Sequence, residues 1–543
     1  MRFYKIILLY CLCPGAVFSQ SISQEKKNSP EKKEILTAMK KATTFMVEKV
    51  SYNGGYVWAY LPDFSRRWGE MEAYKTMIWI QPPGTPTMGH VFLDAYHATH
   101  DEYYYKAALQ VAKALIQGQL PCGGWNYMVD FAGEESIKKW YATIGANGWR
   151  LEEFQHYYGN ATFDDGGTME AATFLLRMFL EKKDQEIKTA LDKVTHFVIE
   201  SQYSNGGWPQ RYPPAGQFNK HDLPDYSSFI TFNDDVAAKN ICFMILRYHT
   251  LNDTSLLTPI RKAMDVFITL QMPKPQPGWA LQYSSDLKPA GARTYEPLAL
   301  STSTTEENLH LLMLFYRLTG NKKFLERIPE AVEWLESLRL PTDMVKNNRP
   351  YPMFVEIGTN KPMFLHRHGS NVTNGEYYTD SNPDNTIIHY GSTRFINIEA
   401  LRKEYNDLTS WSAQKATEGS VLKAGNYYLP PFIDEIISQY NFQNSASYKP
   451  SFEVVKKVIS DLNKDGYWLT VLRSFSNPYI GPAPKEVAPG DFAGQNVGDK
   501  YDTSPYNNLD TGIQGISTGV YIRNMKILID YLTADSVKNI SSM

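Results

Sequence analysis

The chain is poor in cysteine, with four in 543 residues, and two of these, Cys11 and Cys13, fall within the first nineteen. Cys122 and Cys242 alone cannot frame a chain this long with disulfides, and two buried free thiols are the simpler reading. Long apolar runs are missing too. After residues 6–12, no stretch approaches the ~18 uninterrupted apolar residues of a membrane-spanning helix. Nor does either sign of charge dominate: 55 Lys and Arg stand against 58 Asp and Glu, a formal net charge of −3. With no basic tail and no acidic block, neither nucleic acid nor an anionic membrane is an expected partner. Several catalytic signatures are absent: no His-Glu-x-x-His pair, no Gly-x-Ser-x-Gly elbow and no nucleotide-binding glycine loop. His366 and His368, on either side of Arg367, read as a solvated loop rather than a zinc site. Asp461, Asn463, Asp465 and Gly466 begin like an EF-hand loop, but Leu472 stands where a bidentate Glu is required, so the segment reads as a turn.

What is present begins with a tripartite N-terminus. Arg2 and Lys5 precede the apolar run, and small residues follow at Ala16 and Ser19. Residues 1–19 therefore read as a secretory signal peptide. Tyr10 and Leu12, before the two early cysteines, are not the small residues that precede a lipidated cysteine. The expectation is an exported product, periplasmic or secreted, with a formal charge of −5. Residues 20–33 form a polar leader.

From there the chain repeats a unit. Helical spacing over residues 35–50 runs into YNGGYVW (52–58), and over 104–116 into GQLPCGGW (118–125). Residues 187–199 lead to SQYSNGGWPQ (201–210), and 260–270 to QMPKPQPGW (271–279). A second helix follows each loop, over 87–98, 168–180, 236–251 and 306–318. Short polar turns (THDEY, EKKDQ, LNDTS, TGNKKF) join it to the next unit, which makes helical hairpins. The expected fold is all-α: an (α/α) toroid over residues 34–405 with irregular loops on one rim, and a mixed C-terminal extension over 406–543 with a helix at 519–532. Closure would gather on that rim Tyr56, Trp58, Trp125, Asp164, Asp165, Trp208 to Arg211, Asp234, Asp235, Arg293 to Glu296, Glu306 and Glu307. An aromatic content of 13% suits a sugar-binding surface, since sugar rings stack on aromatic faces.

The stretch from Tyr203 to Val236 concentrates the polar chemistry. Asp164 in TFDDGGT and Asp234 in TFNDDVA share a context: a Thr-Phe lead-in, then Asp, then a helical run. Either each caps its helix, or two acidic pairs on one rim supply hard oxygen ligands to Ca²⁺. Without a cation, approaching carboxylates would raise each other's pKa. Arg293 precedes a helix in the loop 279–301. It either pairs with Glu296 at the surface or binds an anionic substrate through its planar fork.

Taken together, GGWPQ, TFDDGGT, TFNDD, PGWALQY with ARTYEP, and EIGTNKPMF resemble the family 10 polysaccharide lyases, pectate lyases with an (α/α) toroid. The similarity runs over roughly residues 100–400. The N-terminal GGYVWAYLPDFSRRWGE and WIQPPGTP resemble a longer branch of that family found in exported bacterial proteins. The resemblance implies Ca²⁺-assisted β-elimination on an acidic uronate-containing glycan, above all pectate, by a monomer. It implies Asp164 and Asp234 at the Ca²⁺ site, where Asp235 is a further candidate, and Arg293 as the base. The expected substrate contacts are Trp208, Arg211, Tyr295, Glu296, Arg349 and Arg367. One departure is Met353 in RPYPMFVEIGTN, where the family usually carries an arginine that Arg349 or Arg367 would have to replace. Asp165 and Gly167 depart from a common Asn and Ala.

The chemistry asks for these residue types. Removing the C5 proton beside a uronate carboxylate builds negative charge that cations stabilise, and an arginine base would first have to lose its own proton. Two rivals stay open. One is a glycoside hydrolase on the same toroid, with two carboxylates from Asp164, Asp234, Asp235 and Glu306 as acid and base. The other is a catalytically inactive glycan-binding homologue, which Met353 keeps in play.

Overall fold

The structure is a computed structural model that describes residues 30–149, 151–215, 225–369, 373, 375–387, 389–423, 429–440, 450–485, 499–505 and 512–534. The expected signal peptide and most of the leader lie outside these residues, as do residues 216–224 of the loop between Trp208 and Asp234.

The first helix, α1 (Pro30–Phe45), begins at a proline, a residue suited to a helix start, so residues 30–33 of the expected leader are already helical. Four hairpins follow. They pair α2 (Thr85–Thr99) with α3 (Glu102–Gly118), α5 (Gly167–Lys182) with α6 (Gln185–Glu200), α7 (Val236–Leu251) with α8 (Leu257–Thr269), and α9 (Thr302–Thr319) with α10 (Ile328–Ser337). Their periodicities explain the pairing. α3 buries Tyr104, Ala108, Val111 and Leu115 along one face and exposes Lys106 and Lys113, whereas α5 is buried nearly all round, the mark of a helix between other elements. Asp101 and Asp184 cap α3 and α6 by accepting backbone N–H bonds. α5 packs against both α2 and α7.

Among the described residues, six loops that each follow a helix share one closure. The backbone N–H of Tyr52, Leu120, Tyr203, Met272, Leu340 and Asn463 donates across the loop to the carbonyl of Gly55, Gly124, Gly207, Gly278, Pro350 and Tyr467 respectively. Each early loop then rests on the second helix of the next hairpin. Cβ atoms at Gly123 and Gly206, both at positive φ, would lie 2.4 and 2.1 Å from the carbonyl oxygens of Lys193 and Lys262, so only glycine fits. Gln119, Gln202 and Gln271 clamp the same junction, each Nε2 bonding its own loop and the following helix segment at Ala190, Pro259 and Arg327. The sixth loop leans on the first helix: Gly466 abuts the carbonyl of Lys41, whose Nζ donates to Asn463 O at 3.0 Å.

Helix is not the whole of the fold, and the expectation of an all-α chain is corrected by short antiparallel sheets. One four-stranded sheet orders Leu469–Val471, Gln514–Ser517, Ala59–Tyr60 and Arg67–Trp68; another orders Leu300–Ser301, Phe354–Val355, Pro362–His368 and Glu376–Asp380. Tyr351–Pro352 pairs with Thr393–Arg394, placing Tyr351 opposite Arg394. Most of these strands are two or three residues long and leave little alternation to detect; Pro362–His368 is the long exception, and it places His366 and Arg367 in a buried strand rather than the expected solvated loop. The longer helices also include α4 (Glu134–Ala142), α11 (Ile398–Thr409), α12 (Ile433–Tyr440), α13 (Phe452–Asp461) and α14 (Thr518–Thr533), with a single turn at Ala413–Ala416. α14 packs against α1, α2 and α13, with Thr43 Oγ1 and Tyr521 OH 2.7 Å apart. Asn463 Oδ1 accepts three backbone N–H bonds, from Asp465, Gly466 and Tyr467, so the EF-hand-like hexad is a turn. Among the described residues no helix is long and apolar enough to cross a membrane.

Candidate active site

Three loops converge on one guanidinium. Arg293, only 3% exposed, forms an ion pair through Nη2 with Asp164 Oδ2. Its Nη1 lies 3.4 Å from Glu296 Oε1 and 3.8 Å from Asp234 Oδ2, and its Nε lies 3.7 Å from Glu153 Oε2. Asp164 and Asp234 therefore meet at a single cation. Neither caps a helix: no side-chain cap bond is made at the start of α5 or α7, and the carboxylates turn inward instead. Tyr127 OH donates to Asp164 Oδ2, while Asp164 Oδ1 is buried with no hydrogen-bond donor.

The electrostatics follow from crowding. Burial is the largest influence on Asp164 and pushes it up, but the Arg293 guanidinium and hydrogen bonds from neighbours such as Tyr127 together outweigh it and hold this carboxyl below its usual range. Asp234 is driven well up by desolvation and by Asp164 and Asp165, and Asp165 is pushed to about 7 by burial and Asp164. Burial lowers the Arg293 cation, yet the surrounding Asp164, Tyr295, Glu296 and Glu153 raise it well above an ordinary arginine. With these neighbours Arg293 holds its proton firmly.

The other expected residues divide. Glu296 is a buried partner of Arg293, not a surface one: Oε1 accepts from Asn233 Nδ2 at 2.8 Å and Tyr390 OH at 2.5 Å. Tyr295 is buried and donates to Glu153 Oε2 at 2.8 Å. Arg211, also buried, lies between the rings of Tyr127 and Tyr158 and bonds Asn126 and Asn160, one aromatic layer behind Asp164. Arg367 is buried over the Trp149 ring, and Tyr377 lies between Trp149 and Tyr295.

Three expectations are corrected. Trp208 is fully buried and its indole N–H donates to Val198 O; Trp125 and Trp279 do the same to Leu115 O and Phe267 O. These rings staple each loop to the helix before it and present no face to a sugar. Asp235, its side chain 53% exposed, faces Lys239 at 3.9 Å and stays outside the cluster around Arg293. Arg349 is exposed, and neither it nor Arg367 lies against Met353; the guanidinium there is that of Arg394, with Nε 3.2 Å from the Met353 sulfur.

Sequence reasoning missed Glu153, Tyr127, Tyr390 and Asn233. Glu153 sits in a 3₁₀ turn (Glu152–Phe154) whose first carboxylate binds the backbone and hydroxyl of Thr294. Two adjacent glutamates, both buried, are unusual, but burial is not visible in sequence. Asn233 was readable as part of TFNDD, and its role was obscured by the two aspartates beside it.

With that geometry in view, comparison gives a family. Residues 130–379 match the family model described as pectic acid lyase. The chain is a pectate lyase-like enzyme. The matched segment of this lyase-like chain contains Glu153, Asp164, Asp234, Arg293 and Glu296, while Tyr127 lies just before it. Among solved structures, a family 10 polysaccharide lyase from Cellvibrio cellulosa is 20% identical, over 51% of this chain and 84% of that one, with a TM-score of 0.35. A cellobiose 2-epimerase from Bacillus thermoamylovorans B4167 is 11% identical over 93% and 99%, at 0.40. The GH76A α-1,6-mannanase of Salegentibacter sp. HEL1_6 is 10% identical over 92% and 98%, at 0.34. No curated protein matches.

The donor set suits a hard cation. Asp164 and Asp234 offer carboxylate oxygens, one buried oxygen lacks a donor, and the surplus negative charge drives Asp165 and Asp234 toward protonation. Oxygen-only, charge-rich sites of this kind favour Ca²⁺. Among the described residues no ready-made group of three ligating side chains is assembled, so the pair would bind a cation with further oxygens from a substrate or water.

Proposed function

We propose that this polysaccharide lyase cleaves pectate or a closely related polyuronate by Ca²⁺-assisted β-elimination, as an exported monomer. The observation that carries the reading is the meeting of Asp164, Asp234 and Arg293, drawn from separate loops, at one buried point inside the pectic acid lyase segment. Polyuronate chemistry needs that combination: carboxylates for a divalent ion and a fixed cation for the developing charge.

Asp164 and Asp234 would hold the ion, which when bound neutralises the uronate carboxylate and so acidifies the adjacent C5–H. Arg293 is positioned by Glu296, Glu153 and Asp164 to face that carbon. Its planar fork stabilises the enolate-like charge, and it takes the C5 proton only in the fraction of molecules where it has lost its own. Tyr390, bonded to Glu296 and 3.5 Å from Arg293 Nη1, closes the far side and excludes water. Arg211, Tyr295 and Arg367 fix the aromatic and carboxylate walls rather than grip the sugar.

The same reading takes the helical hairpins as a closed (α/α) toroid. The sixth loop resting on the first outer helix, in the manner of the earlier loops on their successors, supports closure. On this view the catalytic domain does not stop near residue 405, and residues 450–534 supply the last unit.

Purified mature protein on a panel of uronate polysaccharides, followed by ultraviolet absorbance with and without chelator, tests the reading. Unsaturated product that disappears with chelator is the expected result. Reducing ends without absorbance would identify a hydrolase, and binding without turnover an inactive homologue.

A further inference from the structure

One amide reaches the carboxylates around Arg293 from outside the family segment. The strand Met77–Trp79 pairs with Met128–Asp130, and the next residue, Ile80, donates its N–H to Tyr127 O at 2.7 Å. Tyr127 in turn bonds Asp164. The same strand pair carries Gln81 to the neighbouring aspartate: its Nε2 donates to Asp165 Oδ2 at 2.6 Å and to Glu70 Oε2 at 2.7 Å. Gln81 Oε1 accepts the indole N–H of Trp79 at 2.9 Å, which fixes the orientation of the amide. Both side-chain donors and the side-chain acceptor of this buried residue are thus engaged, and its backbone carbonyl accepts from Trp58 Nε1 at 3.0 Å. Glu70, Trp79 and Gln81 all precede residue 130, where the family match begins.

The two residues of TFDDGGT that depart from the resembled pattern both face this glutamine. Among the described residues the bond from Gln81 is the only hydrogen bond of the Asp165 carboxylate. At Gly167 a Cβ would lie 3.2 Å from the Gln81 nitrogen and 3.3 Å from its Cα, so glycine makes room for the Gln81 backbone. Burial and Asp164 press on Asp165, which repels Asp234 in its turn, and a half-buried carboxylate under such repulsion turns toward solvent unless a donor holds it. An amide holds it without adding a positive charge that would compete with a divalent ion. We propose that Gln81 is a positioning residue for the cation site: it keeps Asp165 beside Asp164 and Asp234, with Glu70 and Trp79 fixing the amide, so that the N-terminal unit is part of the reaction centre. The proposal rests on the Ca²⁺ reading above.

Ca²⁺ is the probe, titrated calorimetrically into the full-length mature protein in excess galacturonate, a monomer with no glycosidic bond to break. Gln81→Met keeps the bulk of the side chain and removes both donors. It should weaken Ca²⁺ binding about tenfold, the lower end of the range for losing the partner of a metal-binding group. In an Asp165→Gly background, which suits the left-handed backbone there, the same change should move affinity by less than about twofold, because the carboxylate it acts through is gone. Equal losses in both backgrounds would show that Gln81 only supports the fold and would overturn the proposal. So would a Gln81→Met affinity within about twofold of wild type, or a wild-type protein that takes up no Ca²⁺. Gln81→Asn, whose amide falls short of Asp165, carries the test if the methionine variant does not fold. Elimination on uronate polymers is read separately: unsaturated product with unchanged Ca²⁺ affinity in the variants removes the role of Gln81 alone. Absence of unsaturated product from every polymer removes the lyase reading, and the titrations still decide Gln81.

Discussion

The loops 162–167 and 231–236 have the same backbone and different chemistry. Thr162 and Thr231 donate to Trp125 O and Trp208 O, and Phe163 and Phe232 donate to Gln210 O and Leu281 O. Each phenylalanine ring packs 4.8 Å from a phenylalanine of the following outer helix, Phe197 or Phe267. Two left-handed residues then follow: Asp165 and Gly166 in one loop, Asp234 and Asp235 in the other. The backbone thus matches Asp165 with Asp234, and Asp164 with Asn233. A repeated loop supplies the geometry, and one residue of difference gives an anion at the buried position of the first loop and an amide at that of the second. The first can hold Arg293; the second holds Glu296.

The largest test of that asymmetry is Arg293→Lys, which keeps the charge and loses the fork. Turnover on the polyuronate should fall by ~10²–10⁴-fold, the range for loss of a general base, and near wild-type kcat would take Arg293 out of the chemistry. Next, Asp164→Asn and Asp234→Asn should both raise the Ca²⁺ concentration for half-maximal activity by at least about tenfold. Their stabilities should diverge in chelator. Asp164→Asn loses charged bonds to Arg293 and Tyr127 and should cost ~1.5–3 kcal/mol. Asp234→Asn relieves repulsion from Asp164 and Asp165 and should leave Tm unchanged or higher. Equal losses in denaturant unfolding would mean that the two loops are equivalent after all.

Trp208→Phe sharpens the comparison between staple and sugar platform. Loss of the indole bond to Val198 O should cost ~1–2 kcal/mol with KM within twofold, whereas a raised KM at unchanged Tm would return Trp208 to the substrate. The smallest effect belongs to Asp235→Asn, an exposed change that should stay within ~0.5 kcal/mol and leave activity within twofold. A marked rise in Ca²⁺ requirement would bring Asp235 into the metal site.

Helices were legible because their signals are local. Residues 236–251 are helical as read, and the Thr85–Thr99, Gly167–Lys182 and Thr518–Thr533 helices extend the expected spans by one or two residues at each end. Apolar spacing, caps and glycine stops all lie within a few residues of the elements they define. The two- and three-residue strands were not legible, since their pairing partners lie far away, as with Ala59 and Ser517. Of the residues that cluster at Arg293, Asp164, Asp234, Arg293 itself and Glu296 stand in motifs readable from sequence. Trp208 was misassigned because Gly-Gly-Trp carries the same letters whether the ring faces a sugar or a helix carbonyl. Asp164 and Asp234 were paired by their neighbours in sequence, while the hydrogen-bond register pairs Asp165 with Asp234. Arg394 escaped notice because its neighbour Met353 is forty-one residues away.

The contact between the sixth loop and the first helix bears on how the chain acquires its structure. A row of stacked units ordinarily needs a polar cap at each end, whereas here α1 is covered by Gly466 and by Tyr521, 478 residues from its partner Thr43. During synthesis α1 emerges first and its apolar face must wait for nearly the whole chain before it is covered. Contacts this distant slow folding, and the early units spend that interval with exposed apolar surface open to aggregation. A protein carried unfolded across a membrane before it folds would meet all its units at once, so export and closure would suit one another.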